Sequence, residues 1–150
     1  KQMMEAYEQV GGNIISVLEV PHEKVSSYGV ISPGETRGKI TEVKGLVEKP
    51  RVEDAPSNLI ISGRYILQPE IFEVLATQET GAGNEIQLTD GIAALLADDP
   101  VLAYRFIGRR FDCGNRLGMV QATVHLALED PELHNAVVAM MRERLALEAN

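Results

Sequence analysis

Ile40-Thr41-Glu42-Val43-Lys44-Gly45-Leu46-Val47-Glu48-Lys49-Pro50 is the stretch that decides the fold. Its apolar and β-branched positions predict a strand over 40–48. Pro50 has no N–H to give to a ladder, so the strand must stop there. Successive strand residues point to opposite faces, and a chain break after Glu48 frees Glu48 and Lys49 from that alternation. A carboxylate and an ammonium are thus left where a sheet gives way to a loop. A second string, Phe111-Asp112-Cys113-Gly114-Asn115, has the same character. It ends an apolar run over 101–111 that also predicts a strand. In open α/β sheets this border between strand end and loop is where ligands bind.

Outward from these strings the pattern is mixed. Met3, Met4, Tyr7 and Val10 predict a helix over 1–10, stopped by Gly11-Gly12. Strands are expected over 14–20 and 26–31, with Gly29 inside the second. A glycine within a strand often marks the close approach of a ligand or another backbone. Pro33-Gly34 predicts a turn. A fourth strand is expected over 57–67, with Gly63 in its middle. Pro69 suits the start of a helix over 70–76, carrying Ile71, Phe72, Val74 and Leu75. A loop containing Gly81-Ala82-Gly83 follows, then a helix over 85–97 capped by Asn84. Its core side is read as Ile86, Ile92, Leu95 and Leu96. After the 101–111 strand come two helices. The first spans 116–128 with Leu117, Val120, Val124 and Leu128 on one stripe. The second is capped by Asp130, opened by Pro131 and runs to about residue 147. The early strands follow one another through short breaks, so the sheet must be partly antiparallel. The expected class is α/β, a mixed sheet flanked by helices, built as a single domain over 1–150.

Composition narrows the function. Fourteen basic residues stand against 22 acidic ones, a net charge of −8. This weighs against a nucleic-acid partner, which calls for a basic face. No apolar run in the sequence approaches a membrane span, and no signal peptide is expected. Cys113 is the single cysteine, so no intramolecular disulfide forms and a reducing, cytoplasmic setting is expected. The sequence opens at Lys1 directly in a helical pattern, which reads as an internal start point.

The chemistry of the strings stays open at this level. The Glu48 carboxylate can accept hydrogen bonds from sugar hydroxyls, and the Lys49 ammonium can meet a phosphate as a point charge. The same pair also suits a solvated surface contact. Asp112 can serve Mg²⁺, which prefers oxygen ligands and shares them with substrate phosphates. It equally suits a turn or helix cap. Gly81-Ala82-Gly83 lacks the Gly-Lys-Ser/Thr ending of a phosphate loop. His22, His125 and His134 have no zinc spacing, and no histidine lies near Cys113 in sequence to activate it.

Taken in order, the strings resemble one family. They are Ser27-Tyr28-Gly29-Val30, Gly45-Leu46-Val47-Glu48-Lys49-Pro50, Ala55-Pro56-Ser57-Asn58-Leu59, Gly63-Arg64-Tyr65, the long run Gly81-Ala82-Gly83-Asn84-Glu85-Ile86-Gln87-Leu88-Thr89-Asp90, and Asp112-Cys113-Gly114-Asn115. Together they are similar to the C-terminal half of bacterial UTP–glucose-1-phosphate uridylyltransferases, the UDP-glucose pyrophosphorylases. The resemblance implies a Rossmann-like sugar-nucleotidyltransferase fold and a Mg²⁺-dependent reaction. In it a phosphate oxygen of glucose 1-phosphate attacks the α-phosphorus of UTP, releasing pyrophosphate and forming UDP-glucose. By resemblance Glu48 would hold glucose hydroxyls, Lys49 would neutralise the sugar phosphate as the catalytic residue, and Gly29 would admit the sugar to the backbone. Asp112 would be one of two Mg²⁺ carboxylates. The 84–90 segment receives no firm ligand role. The family's opening Gly-x-Gly-Thr-Arg loop, which binds the triphosphate, has no counterpart between Lys1 and Asn150. The chain is therefore expected to hold the sugar-phosphate side of the site and to be inactive alone. A related thymidylyltransferase and a non-catalytic sugar-phosphate-binding or assembly module are the alternatives. The apolar last helices, with Val137, Val138, Met140, Met141 and Leu145, either cover their own sheet or build a homo-oligomer interface.

Overall fold

The computed structural model describes residues 1–81 and 84–148; Ala82 and Gly83, within the expected glycine loop, lie outside the described residues. The elements fall into two compact units, residues 1–107 and 108–150.

The first unit begins with helix α1 (Gln2–Val10) and holds strands β1 (Asn13–Glu19), β2 (Gly29–Arg37), β3 (Ile40–Glu48), β4 (Leu59–Ile66) and β5 (Val101–Arg105). Helices α2 (Ile71–Thr77) and α3 (Leu88–Leu95) lie between β4 and β5 in the chain. The sheet is mixed. β1 pairs antiparallel with β4 and parallel with β5. β2 pairs antiparallel with β3, β3 with β5, and β2 meets β4 at the single pair Val30↔Ile60. The pairings therefore run β1-β4-β2-β3-β5 and return to β1, so the sheet closes on itself. β1 is buried along Asn13–Val17, as expected for a strand with a neighbour on each side and apolar cover on each face.

Three apolar clusters hold this unit. Ile15, Val17, Ile31, Val43, Leu46, Leu59 and Ile61 meet Ile71 of α2 and Ile92 and Leu95 of α3. Ala6 of α1 meets Ile14 and Tyr104. Val25, from a short 3₁₀ helix (His22–Ser27), meets Val30 and Ile60. Each fully buried aliphatic side chain contributes on the order of 1.5–3 kcal/mol by leaving water.

Several sequence expectations are revised. Pro33-Gly34 is not the hairpin turn, because β2 runs through it with register shifts on either side of Pro33. Such an irregularity lets a strand carry a proline without losing a ladder hydrogen bond. The turn falls at Gly38-Lys39, between the paired residues Arg37 and Ile40, where Gly38 supplies φ +64°. Helix α3 starts at Leu88, with Gln87 as its cap, so Asn84 does not cap it and Ile86 is exposed. Phe72 of α2 is likewise exposed. β5 ends at Arg105, six residues before Phe111, so Asp112 does not sit at a strand end.

The second unit contains α4 (Arg116–Glu129) and α5 (His134–Glu148), which pack on each other. Between them the Asp130 carboxylate accepts from the backbone N–H groups of Glu132 and Leu133, at 2.8 and 3.2 Å. Asp130 thus caps a turn over 131–133, and α5 begins after it instead of at Pro131. The buried residues of α4 are Gly118 and Ala122. Leu117 and Val120 of the expected stripe are exposed, as are Leu133, Met140, Met141 and Leu145. Among the described residues no helix is long and apolar enough to cross a membrane.

Candidate functional site

β3 and β2 lie antiparallel, and their register sets Glu48 directly opposite Gly29. Beyond Glu48 the ladder is extended by one bond, from the Lys49 N–H to the Tyr28 carbonyl at 3.1 Å. Lys49 itself takes φ 44°, a left-handed conformation uncommon outside glycine. That conformation breaks the strand alternation. The two side chains end up together, with Lys49 Nζ 3.8 Å from Glu48 Oε1. The following Pro50 is buried and fixes the exit of the chain.

The two charges differ in freedom. The Glu48 side chain is only 13% exposed, whereas that of Lys49 is 56% exposed. Glu48 is pinned from the far side by Thr89, whose hydroxyl donates to Oε2 at 2.7 Å. Thr89 is the second residue of α3, so the carboxylate meets the first turn of that helix, where the backbone dipole favours negative charge. Tyr65 of β4 senses the same carboxylate. Burial, and then the charge on Glu48, push its phenol above the ordinary tyrosine value.

Gly29 closes the floor of this arrangement. A methyl at Gly29 would stand 3.0 Å from Glu48 Oε2, Ile61 Cδ1 and Thr89 Oγ1 alike. Where the sequence suggested a ligand or another backbone close to this glycine, the atoms that crowd it are the side chains of Glu48, Ile61 and Thr89. Gly29, Glu48 and Lys49 are thus brought together by the β2–β3 register. Sequence reasoning missed Thr89 and Tyr65. Both lie within strings quoted above, yet only the start of α3 brings the Thr89 hydroxyl onto Glu48, and only the folded chain brings Tyr65 within reach of its charge.

Asp112 stands in the second unit, on the loop that leads into α4. Its Oδ1 accepts from the Gly114 N–H at 3.1 Å, and its backbone carbonyl accepts from the Asn115 side-chain amide at 3.0 Å. Asn115 Oδ1 in turn caps α4 by accepting from the Gly118 N–H at 2.8 Å. Asp112 is exposed, and so is Cys113. Gly118 lets this loop lie on the helix start, for a methyl there would stand 2.0 Å from the Asp112 carbonyl oxygen.

The second unit also has a cleft of about 620 Å³, lined by Arg109, Phe111, Val124 and His125 among others. His125 Nδ1 lies 3.2 Å from an Arg109 guanidinium nitrogen, and its Nε2 lies 3.0 Å from Glu129 Oε1. His22 and His134 are also hydrogen-bonded, to Asn58 Oδ1 and the Leu128 carbonyl. Among the described residues no three His, Cys, Asp or Glu side chains cluster in a way that would hold a metal by themselves.

Residues 1–129 match the nucleotidyl transferase family, and the chain belongs to that family. Within it, the chain is 50% identical over 143 residues to UTP–glucose-1-phosphate uridylyltransferase of Staphylococcus haemolyticus, covering 95% of this chain and 50% of the relative. Among solved structures it is similar to UDP-glucose pyrophosphorylase complexed with UDP-glucose, with a TM-score of 0.83 and 42% identity over 87% of this chain and 49% of that one. It is also similar to the UTP-bound UGPase from Acinetobacter baumannii, with a TM-score of 0.79 and 38% identity over 99% of this chain and 50% of that one. The chain thus spans about half the length of the relatives it matches.

Proposed function

We propose that residues 1–150 are the C-terminal portion of the catalytic domain of a UTP–glucose-1-phosphate uridylyltransferase, and that this portion carries the sugar-phosphate side of the site. The observation that carries the reading is the pairing of a held carboxylate with an exposed ammonium at one strand end. Glu48 is mostly buried and hydrogen-bonded, while Lys49 beside it is largely exposed. A fixed carboxylate with a free oxygen edge accepts from sugar hydroxyls in one orientation. An exposed ammonium next to it neutralises the phosphate of the same molecule. In the whole enzyme the phosphate oxygen of glucose 1-phosphate attacks the α-phosphorus of UTP, the new P–O bond forms, and pyrophosphate leaves. Such transfers depend on positioning and charge neutralisation. Gly29 serves the sugar site by seating Glu48 and Thr89.

Asp112 suits a shared Mg²⁺. Mg²⁺ keeps several waters and takes one or two protein carboxylates together with substrate phosphates. An exposed carboxylate held at one oxygen by Gly114 fits that role. When bound, the ion would supply charge neutralisation at the phosphates. The exposed apolar residues of α4 and α5 support a homo-oligomer or a contact with the remainder of the enzyme. A cytoplasmic setting accords with nucleotide chemistry and a free Cys113.

Two measurements test the reading. The pure chain, given UTP, glucose 1-phosphate and Mg²⁺, is expected to form no UDP-glucose; turnover would overthrow the assignment as an incomplete site. The same chain is expected to bind glucose 1-phosphate, with Lys49→Ala weakening it on the order of tenfold or more, as for loss of a charge-assisted contact. Unchanged binding by that variant would remove Lys49 from the site.

A further inference from the structure

We infer that Thr89 is a positioning residue for the sugar-phosphate site: its hydroxyl pins Oε2 of the Glu48 carboxylate, so that Glu48 and Lys49 meet only in a loose ion pair and both charges stay available to the ligand. This rests on the site reading proposed above. Glu48 has two neighbours that compete for it. Lys49 Nζ lies 3.8 Å from Oε1, too far for a hydrogen bond. Thr89 Oγ1 donates to Oε2 at 2.7 Å. The shorter contact comes from the more firmly held partner. Thr89 is buried at the start of α3, while the Lys49 side chain is 56% exposed. Gly29 and Ile61 crowd the remaining side, since a methyl on Gly29 would stand 3.0 Å from both Glu48 Oε2 and Ile61 Cδ1.

The consequence follows from charge and geometry. A mostly buried carboxylate that loses its hydroxyl donor must find another partner, because an unsatisfied charge in such a place is costly. The ammonium next door, 3.8 Å from Oε1, is at hand. A closed Glu48–Lys49 ion pair would turn the carboxylate from the sugar hydroxyls and tie up the cation needed by the phosphate. The Thr89 hydroxyl satisfies one oxygen without adding charge, and leaves the Oε1 edge open.

The test is an amide NMR titration of the 150-residue chain with glucose 1-phosphate, using wild type, Thr89→Val, Thr89→Ser and Glu48→Gln. Valine keeps the shape and removes the hydroxyl; serine keeps the hydroxyl and removes the methyl. Wild type is expected to bind, Glu48→Gln and Thr89→Val to bind roughly tenfold or more weakly, and Thr89→Ser to stay within about threefold of wild type. Rescue by serine separates the hydroxyl from mere packing. If Glu48→Gln weakens binding but Thr89→Val does not, the inference fails and the site reading stands. If wild type does not bind, or Glu48→Gln binds as wild type does, the site reading itself fails and takes this inference with it. Should Thr89→Val not fold, Thr89→Ala takes its place beside Thr89→Ser: loss with alanine and retention with serine uphold the role of the hydroxyl, and equal binding by the two overturns it.

Discussion

Gly29→Ala isolates the close packing around Glu48. The backbone at Gly29 is not in the left-handed region, so alanine meets no torsional penalty there. On the unfolded side, replacing glycine by alanine stabilises by about 0.4–1 kcal/mol through lost chain entropy. Against this stand three contacts at 3.0 Å, to Glu48 Oε2, Ile61 Cδ1 and Thr89 Oγ1. All three atoms must give by a few tenths of an ångström, and two of them are hydrogen-bonded to each other. Ile61 is buried and cannot retreat into solvent. Overpacking of this kind costs about 1–3 kcal/mol. The net expectation is a loss of about 1–2 kcal/mol, or ~2–8 °C in melting temperature for a chain of this length. The larger effect should be on binding, because the easiest relief is to push the Glu48 carboxylate off Thr89. Thermal unfolding by circular dichroism and a glucose 1-phosphate titration read the two effects separately. An alanine variant that melts and binds as wild type does would show that the methyl is accommodated, and would remove the argument that Gly29 seats the carboxylate.

Gly118→Ala should be more severe, because its methyl would fall 2.0 Å from the Asp112 carbonyl oxygen, a backbone atom that cannot swing aside. A drop in melting temperature of several degrees, with displaced amide resonances over 112–118, is the expected result; an unperturbed spectrum would refute the packing described for that loop. Tyr65 gives a pH signature. Its phenol holds its proton above the ordinary tyrosine range, through burial first and the charge on Glu48 second. A folded-state value above the unfolded one means that its contribution to stability is complete below pH 10.0 and is lost as the pH rises through the folded value. Unfolding followed from pH 9 to 11.5 should show wild type losing more stability than Tyr65→Phe, and parallel curves would contradict this.

Much of both units was legible where the signals are local. The strand over 40–48 and the helix over 116–128 follow from periodicity and a breaker or cap at each end, and the structure places them at Ile40–Glu48 and Arg116–Glu129. What misled were signals with two meanings. Pro33-Gly34 reads as a turn, yet β2 absorbs it through irregular register while Gly38 makes the turn. The apolar run after Val101 reads as one long strand, yet pairing with β1 and β3 ends within Arg105, and beyond it Ile107 bonds the Gln2 side chain through its N–H and its carbonyl instead of a neighbouring strand. Closure of the sheet through the parallel β1–β5 pair depends on contacts between residues nearly ninety positions apart, as in Asn13↔Val101, which no local pattern encodes. The site divides in the same way. Glu48-Lys49-Pro50 announces itself as a charged strand end. Thr89 does not, because its partner is 41 residues away and is chosen by where α3 begins.

The contrast between Glu48 and Lys49 also suits the proposed reaction. Sugar hydroxyls are neutral, so their recognition depends on direction, and direction requires an acceptor that does not move. Glu48 gains that from burial, from Thr89 and from the first turn of α3. A phosphate that must advance on an α-phosphorus needs the opposite, a cation whose attraction tolerates displacement. Lys49 provides a point charge on a long stem, mostly in solvent. Its strained backbone fixes only where that stem starts. Exchanging the two properties would defeat both tasks: a loose carboxylate would fold onto the ammonium, and a rigid ammonium would hold the phosphate short of its target. The left-handed turn at Lys49 is the device that sets these unlike groups side by side, and its cost, of order 1–3 kcal/mol, is offset by the 3.1 Å bond from its N–H to Tyr28 and by the buried Pro50 that follows.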